Sequence, residues 1–550
     1  MKGNIFQNVK NNKPKRNVFN LSHERKFSCN MGKMVPILLQ EVLPGDSFRV
    51  NTESLIRLSP LTAPMMHRLD VYTHYFFVPN RLVWDDWEKF ITGGEKGEFL
   101  HENLPVMPQL VIGLDDSHGA RSSFFNIFRS GSLADYMGVP TFFKSTDTVN
   151  SVTSLLTSYE IPNISMLPFR AYQLIFNEYY RDQNLESEIP ISKASGLFKL
   201  LDLDVQHCFY MRTRNWRKDY FTSALPTSQK GPDISFGSNI IVNPESNRFT
   251  RYFQRTIPGP MAAGAAYFGG DSDNAGFSNL KSGSTSGVRS VMDPNGTLQA
   301  AVSMTGFRRA ISLTRWLERN SRSGSRYTEF LMSHFGVRSR DERLQRPEYL
   351  GGGRSPIVVS EVVQTSETSN TPQGTLAGHG LGVGNTHSFK KYFTEHGFII
   401  GIMTVMPEPT YCNTLDKSLI RNDPFDYFFP EFAHIGEQEV INGEVFWDFK
   451  KPLAGVSSRN PKLFGYQSRF AEYKYKASTV HGDFKNSMHF WTMSRMFDVN
   501  TKPNLNAAFI KCNPRYDPFA VKSSDIDHLW VQLYHNIQAI RPIPIFSEPF

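Results

Sequence analysis

Asp527-His-Leu-Trp-Val-Gln-Leu-Tyr-His-Asn-Ile-Gln-Ala-Ile540 carries the cleanest two-residue period in the chain. Leu529, Val531, Leu533 and Ile537 fall on one side; Gln532, Asn536 and Gln538 fall on the other. Successive side chains of a strand point to opposite faces, so the spacing predicts a strand with one buried and one wet face. Similar signals lie far away. Val35 to Val42 reads as a strand, closed by the turn Pro44-Gly45-Asp46. Leu69 to Val78 reads as another, with Leu69, Val71, Tyr75 and Phe77 on one face. Gly397 to Met406 is apolar on both faces, as in a strand covered on two sides. Good strands therefore sit at both chain ends, separated by very long excursions. Greek-key sandwiches pair distant strands in this way. The expected fold is mainly β: an eight-stranded antiparallel jelly roll with long helix-containing loop insertions.

The excursions carry their own signals. Leu167 to Gln183 has Pro168 at its start and a stripe of Phe169, Tyr172, Ile175, Phe176 and Tyr179, which predicts a core-facing helix. Thr305 to Asn320 predicts a second helix, with Phe307, Ala310, Ile311, Thr314 and Leu317 as its apolar face. Phe209 to Lys230 interleaves Arg212, Arg214, Arg217 and Lys218 with Trp216, Tyr220 and Phe221. Such a run suits subunit contact, or base stacking with phosphate contact. From about Gly231 to Thr305 the chain turns rich in Gly, Ser and Asn, as a disordered segment or a functional surface loop would. Thr371 to Gly384 reads as a further Gly-rich loop. The expected division is a basic arm at 1–30, a β domain at 31–230 and 305–550, and a surface insertion at 231–304.

Composition excludes several classes. Hydrophobic residues make 40% and charged residues 20% of 550, which suits a globular chain, not a disordered one. No apolar run is long enough to span a membrane, so no membrane insertion is expected. The four cysteines are far apart and form no CxxC, which predicts buried, reduced thiols. There is no GxxxxGK[ST], HExxH or GxSxG, so neither catalysis nor a cofactor is expected. Asp271-Ser-Asp273-Asn-Ala-Gly276 begins like a calcium loop but has Ala275 at the fifth position and Ser282 where a glutamate belongs, so no metal is expected either. The charge is uneven. Residues 1–26 hold seven Lys and Arg against Glu24 alone, which is +6 of the chain's +8. A basic arm on a nearly neutral body suits contact with nucleic acid, with Lys10, Lys13, Lys15 and Arg16 as the candidates; a solubilising outer tail is the other reading.

Arg319 to Arg354 holds eight arginines against Glu329, Asp341, Glu342 and Glu348, together with Tyr327, Phe330, Phe335 and Tyr349. That mixture suits a fixed contact with another surface, or a solvated charged loop. Its wording is more specific. Gly324-Ser-Arg-Tyr-Thr-Glu329, Ser333-His-Phe-Gly-Val337 and Leu344-Gln-Arg-Pro-Glu-Tyr-Leu-Gly-Gly-Gly353 resemble the major capsid protein of gokushoviruses, of the microvirus family. Gln40-Glu-Val-Leu-Pro-Gly-Asp46, Asp219-Tyr-Phe-Thr-Ser-Ala-Leu-Pro226 and Phe432-Ala-His-Ile-Gly-Glu-Gln438 extend the likeness in order along the chain. The resemblance implies a bacteriophage virion protein, assembled in the bacterial cytoplasm as sixty copies in a T=1 shell around single-stranded DNA. It also implies an internal scaffolding protein, a pilot protein and a host surface receptor as partners. On it, Arg338, Arg340, Arg343, Arg346 and Tyr349 are expected at a subunit interface. Tyr267, Phe268 and Phe277 are expected in a host-contacting threefold protrusion. A lectin-like jelly-roll spike and a basic nucleic-acid enzyme remain as alternatives; the first leaves the basic arm unexplained, and the second lacks a catalytic signature.

Overall fold

In the computed structural model the described residues are 15–94, 104–111, 125–141, 143, 147, 163–199, 203–231, 252–255, 288–291, 304–324, 326–365, 373–450, 458–497, 503–523 and 525–546. Nine strands build the main sheets: β1 (Asn17–Asn20), β2 (His23–Cys29), β3 (Val35–Val42), β4 (Ser47–Leu58), β5 (Leu69–Pro79), β6 (Glu348–Val363), β7 (Leu376–Tyr392), β8 (Gly397–Pro407) and β9 (Leu529–Arg541). β1 and β2 pair with successive halves of β9, so together they act as one strand. β9 then pairs with β4, and β4 with β7. The other sheet runs β3, β8, β5, β6. Val358–Val363 of β6 leaves β5 and pairs with β7, which joins the sheets at one edge. Every one of these pairings is antiparallel. Eight strands in this order are the jelly roll that the distant strand signals predicted.

The two sheets bury their alternating faces against each other. Val35, Phe48, Val50, Leu69, Tyr75, Phe77, Leu529, Val531, Leu533 and Ile537 belong to one core. β9 alternates buried and exposed along its length, so its outer face meets water. β8 is buried almost throughout because the helix α1 (Leu167–Ile175) and its neighbours cover the second sheet from outside. A polar relay crosses the sandwich. Tyr75 Oη donates to Thr52 Oγ1 at 2.6 Å, Thr52 donates to His535 Nδ1 at 2.8 Å, and His535 Nε2 donates to the Ile37 carbonyl at 2.9 Å. Burial lowers the His535 pKa to about 4, which keeps the ring neutral with one donor and one acceptor nitrogen.

The predicted Leu167–Gln183 helix changes pitch partway. Phe176–Tyr180 forms a π turn, with the Arg181 N–H bonded to the Phe176 carbonyl at 2.9 Å. The turn places Tyr179 against Phe76 and Tyr180 against His74 of β5. A separate core, holding Tyr220, Phe221, Tyr411, Val440, Phe464 and Phe509, organises the excursion between β8 and β9.

One expectation is corrected. The segment read as a Gly-rich loop is a strand from Leu376 onward. Gly378, Gly380, Gly382 and Gly384 lie on its crowded side: a methyl at Gly378 would fall 2.7 Å from the Ala63 carbonyl, at Gly382 2.9 Å from Ile357, and at Gly380 it would overlap Leu58. Side chains of neighbouring strands occupy the space that those positions leave free. Leu381 and Val383 point outward and are exposed.

Gly231–Leu317 forms one compact unit, and Met1–Lys230 with Glu318–Phe550 another. In the first, Tyr252–Arg255 pairs antiparallel with Val288–Val291. The helix α2 (Met304–Ser323) begins there; Phe307 and Ile311 of its expected apolar face are exposed. All four cysteines are buried and unbridged. Among the described residues, no helix is long and apolar enough to cross a membrane.

Candidate functional site

The Arg-rich stretch is more structured than a loop. It comprises the end of α2, the helix α3 (Tyr327–Phe335), turns at 341–346, and the start of β6. Four of its eight arginines find a carboxylate within the subunit. Arg322 pairs with Glu437, and Arg354 with Asp70 at 2.5 Å. Arg326 pairs with Glu329 at 3.1 Å and donates to the Asn177 and Arg181 carbonyls. Arg346 lies over the Tyr179 ring at 4.2 Å, donates to Thr328 Oγ1 at 3.0 Å and pairs with Asp341 at 3.3 Å. Of the five residues expected at an interface, Arg346 is thus bound into its own fold. Arg338, Arg340, Arg343 and Tyr349 are exposed.

Other predicted residues fare differently. Trp216, Tyr220 and Phe221 are buried, so their rings serve the core and not base stacking. Arg217 pairs with Glu408 at 3.1 Å, and Lys218 with Asp182. Arg16 donates to Tyr392 Oη at 3.1 Å and stacks on that ring, and Lys15 is exposed. Lys10, Lys13, Tyr267, Phe268 and Phe277 lie outside the described residues. So does the calcium-like segment at 271–282. No metal-ligating cluster occurs among the described residues.

The sequence reading missed a larger surface. Between Leu419 and Ile435 the chain makes short 3-10 turns at Pro424–Asp426 and Pro430–Phe432. Leu419 is 75% exposed, Phe425 59% and Ile435 61%, and Tyr427, Phe428 and Phe429 are exposed as well. Tyr473 and Tyr475 extend the surface from a second segment. The rings touch: Phe428 meets Phe470 at 5.1 Å between centroids, and Phe425 meets Phe432 at 5.5 Å. Arg421 fastens the two segments. Its guanidinium lies over Tyr427 and Tyr473 and pairs with Glu472 at 3.3 Å, with both partners nearly buried. Glu472 in turn accepts from Gln438 Nε2 at 2.6 Å, and Gln438 Oε1 accepts the Phe470 N–H at 3.0 Å. That bond holds Phe470 at φ 60°, a left-handed conformation costly for an aromatic residue. Asp423 caps the first turn. A rigid, exposed cluster of aromatics around a buried arginine has the make-up of an interface core, because large rings bury much area at little entropic cost.

The model of the family described as Capsid protein (F protein) matches residues 7–550. The chain belongs to this capsid protein family. Similar relatives are capsid protein VP1 of Chlamydia phage 1, 33% identical over 99% of this chain and 97% of the relative, and capsid protein VP1 of Bdellovibrio phage phiMH2K, 32% identical over 97% and 95%. Capsid protein VP1 of Spiroplasma virus 4 is 30% identical over 99% and 97%. The family places the chain in the virion as a microvirus capsid protein, a structural part that associates with its own copies.

Proposed function

We propose that sixty copies of this chain close into a T=1 shell around single-stranded DNA, with the aromatic surface at 419–435 as a principal contact between copies. The observation that carries the reading is a jelly roll with a contiguous aromatic surface left uncovered in the single subunit. A monomer rarely leaves such a cluster open to water. Arg338, Arg340 and Arg343 supply a polar rim, where charges set orientation more than affinity. The arm carrying Lys10, Lys13, Lys15 and Arg16 faces inward and binds phosphates without reading sequence. The insertion at 231–304 is the host-contacting protrusion. A scaffolding protein and a pilot protein act during assembly, and the chain has no catalytic role. Electron microscopy of the purified full-length chain tests this reading: uniform closed particles are expected, and monomers or trimers at every concentration and salt would overturn it.

A further inference from the structure

Two adjoining clefts open beside the π turn, of about 680 Å³ and 770 Å³. Tyr179, Tyr180, Arg214 and Arg326 line both. Nearly every cation along them has an acidic partner, but Arg214 does not. Its guanidinium lies over Tyr72 at 4.4 Å and Tyr180 at 5.4 Å, and no hydrogen bond or ion pair of its side chain occurs among the described residues. Two more donors lack acceptors here. The Nε atoms of Arg181 and Arg326 are buried and make no hydrogen bond; a Glu178 carboxylate oxygen stands 3.9 Å from the latter. A buried N–H without an acceptor is costly, and three guanidinium groups lining one cleft, Arg214 among them without a carboxylate, suit a ligand that only accepts. His74 beside them is held neutral by burial, so the ring adds no positive charge of its own.

We infer that Arg214, with Arg181 and Arg326, forms a binding site for a phosphodiester of single-stranded nucleic acid. Guanidinium groups match phosphate oxygens in pairs. Arg214 lines both clefts, and two clefts sharing one guanidinium suit a strand more than an isolated ion. The exposed face of Tyr349 in the second cleft offers a stacking surface for a base, and ring stacking tolerates any sequence. This rests on the genome-enclosing role proposed above, and names the place on the body, distinct from the basic arm, where the strand is held.

The test uses the soluble full-length chain and a fluorescein-labelled oligothymidylate, read by anisotropy against salt. Arg214→Gln is expected to weaken binding about tenfold. It should also lower the slope of log affinity against log salt by about 0.7, the contribution of one phosphate contact on a single strand. Arg214→Lys should keep the slope. Ser323→Glu, which sets a carboxylate in both clefts without touching Arg214, should weaken binding independently of any folding defect in the first variant. Wild-type affinity and slope in both Arg214→Gln and Ser323→Glu would overturn the site. Loss of inorganic phosphate binding in Arg214→Gln, with oligothymidylate unaffected, would overturn it in favour of a free ion. Loss of particles with oligothymidylate unaffected would overturn it in favour of a neighbouring subunit's carboxylate. Because affinity is read on the subunit, the result stands whether or not closed shells form.

Discussion

The stretch 319–354 and the surface 419–435 answer the same question in opposite ways. The first is dense in arginine, yet half of its eight arginines are spent inside the subunit, on Glu437, Glu329, Asp341 and Asp70. The second holds one central arginine, Arg421, which is also spent internally, but in order to hold exposed rings in place. What remains available to a partner is therefore charge at the rim in one case and preorganised apolar area in the other. Contact energy follows the second kind, since anchors are fully desolvated aromatic groups and rim charges are screened. The number of arginines in a segment is thus a poor measure of what it offers outward.

The largest effect is expected where that reading is attacked directly. Phe425→Ser with Phe429→Ser removes two exposed rings, both packed on Phe432, without touching Arg421 or Glu472. Each buried aromatic anchor contributes about 2 kcal/mol or more at an interface. The pair should raise the concentration needed for particle formation at least about a hundredfold, as read by light scattering. The subunit's melting temperature should stay unchanged. Normal assembly of this variant would mean that the aromatic surface faces solvent or a different protein.

How much of this was legible beforehand depended on where the partners of each residue sit. β9 and β8 were readable because burial on one face or two writes itself into local alternation. β7 was not, because the pattern there is inverted: glycine occupies the crowded side and Leu381 and Val383 face out. A glycine row carries no apolar signal, and its reason lies in Leu58, Ala63 and Ile357 on other strands. The arginines misled for the same cause, since Asp70, Glu437 and the Tyr179 ring are remote in sequence. The aromatic surface was invisible in a chain so rich in phenylalanine, where Phe425 and Phe429 look no different from the buried Phe464 and Phe509. The three donors around Arg214 come from segments at 181, 214 and 326, and only the fold gathers them.

A middle-sized effect should separate folding from assembly within the arginine stretch. Arg346→Ala removes a stacked, hydrogen-bonded guanidinium and leaves Asp341 without its cation. We expect a loss of about 1–3 kcal/mol of subunit stability, read as a lower denaturant midpoint. Particle yield should fall only as far as folding does. Unchanged subunit stability with lost particles would place Arg346 at the interface and narrow the contrast drawn above.

The smallest effect is expected from Arg338, Arg340 and Arg343 together. All three are exposed, and no ion pair of theirs occurs among the described residues. An exposed pair formed across an interface contributes about 0–1 kcal/mol and weakens as salt rises. Replacing all three with Gln should slow particle formation a few-fold at low salt, because rim charges act mainly on the encounter rate. Near 1 M salt the Debye length is only about 3 Å, so variant and parent should become indistinguishable there. The Phe425→Ser, Phe429→Ser pair should remain defective at every salt concentration, since burial of apolar area does not depend on screening. The two salt series therefore test the comparison from both sides. If the triple variant fails to assemble at all salts while the aromatic pair recovers, the principal contact lies in the arginine stretch. The rings at 419–435 then cover something other than a second copy.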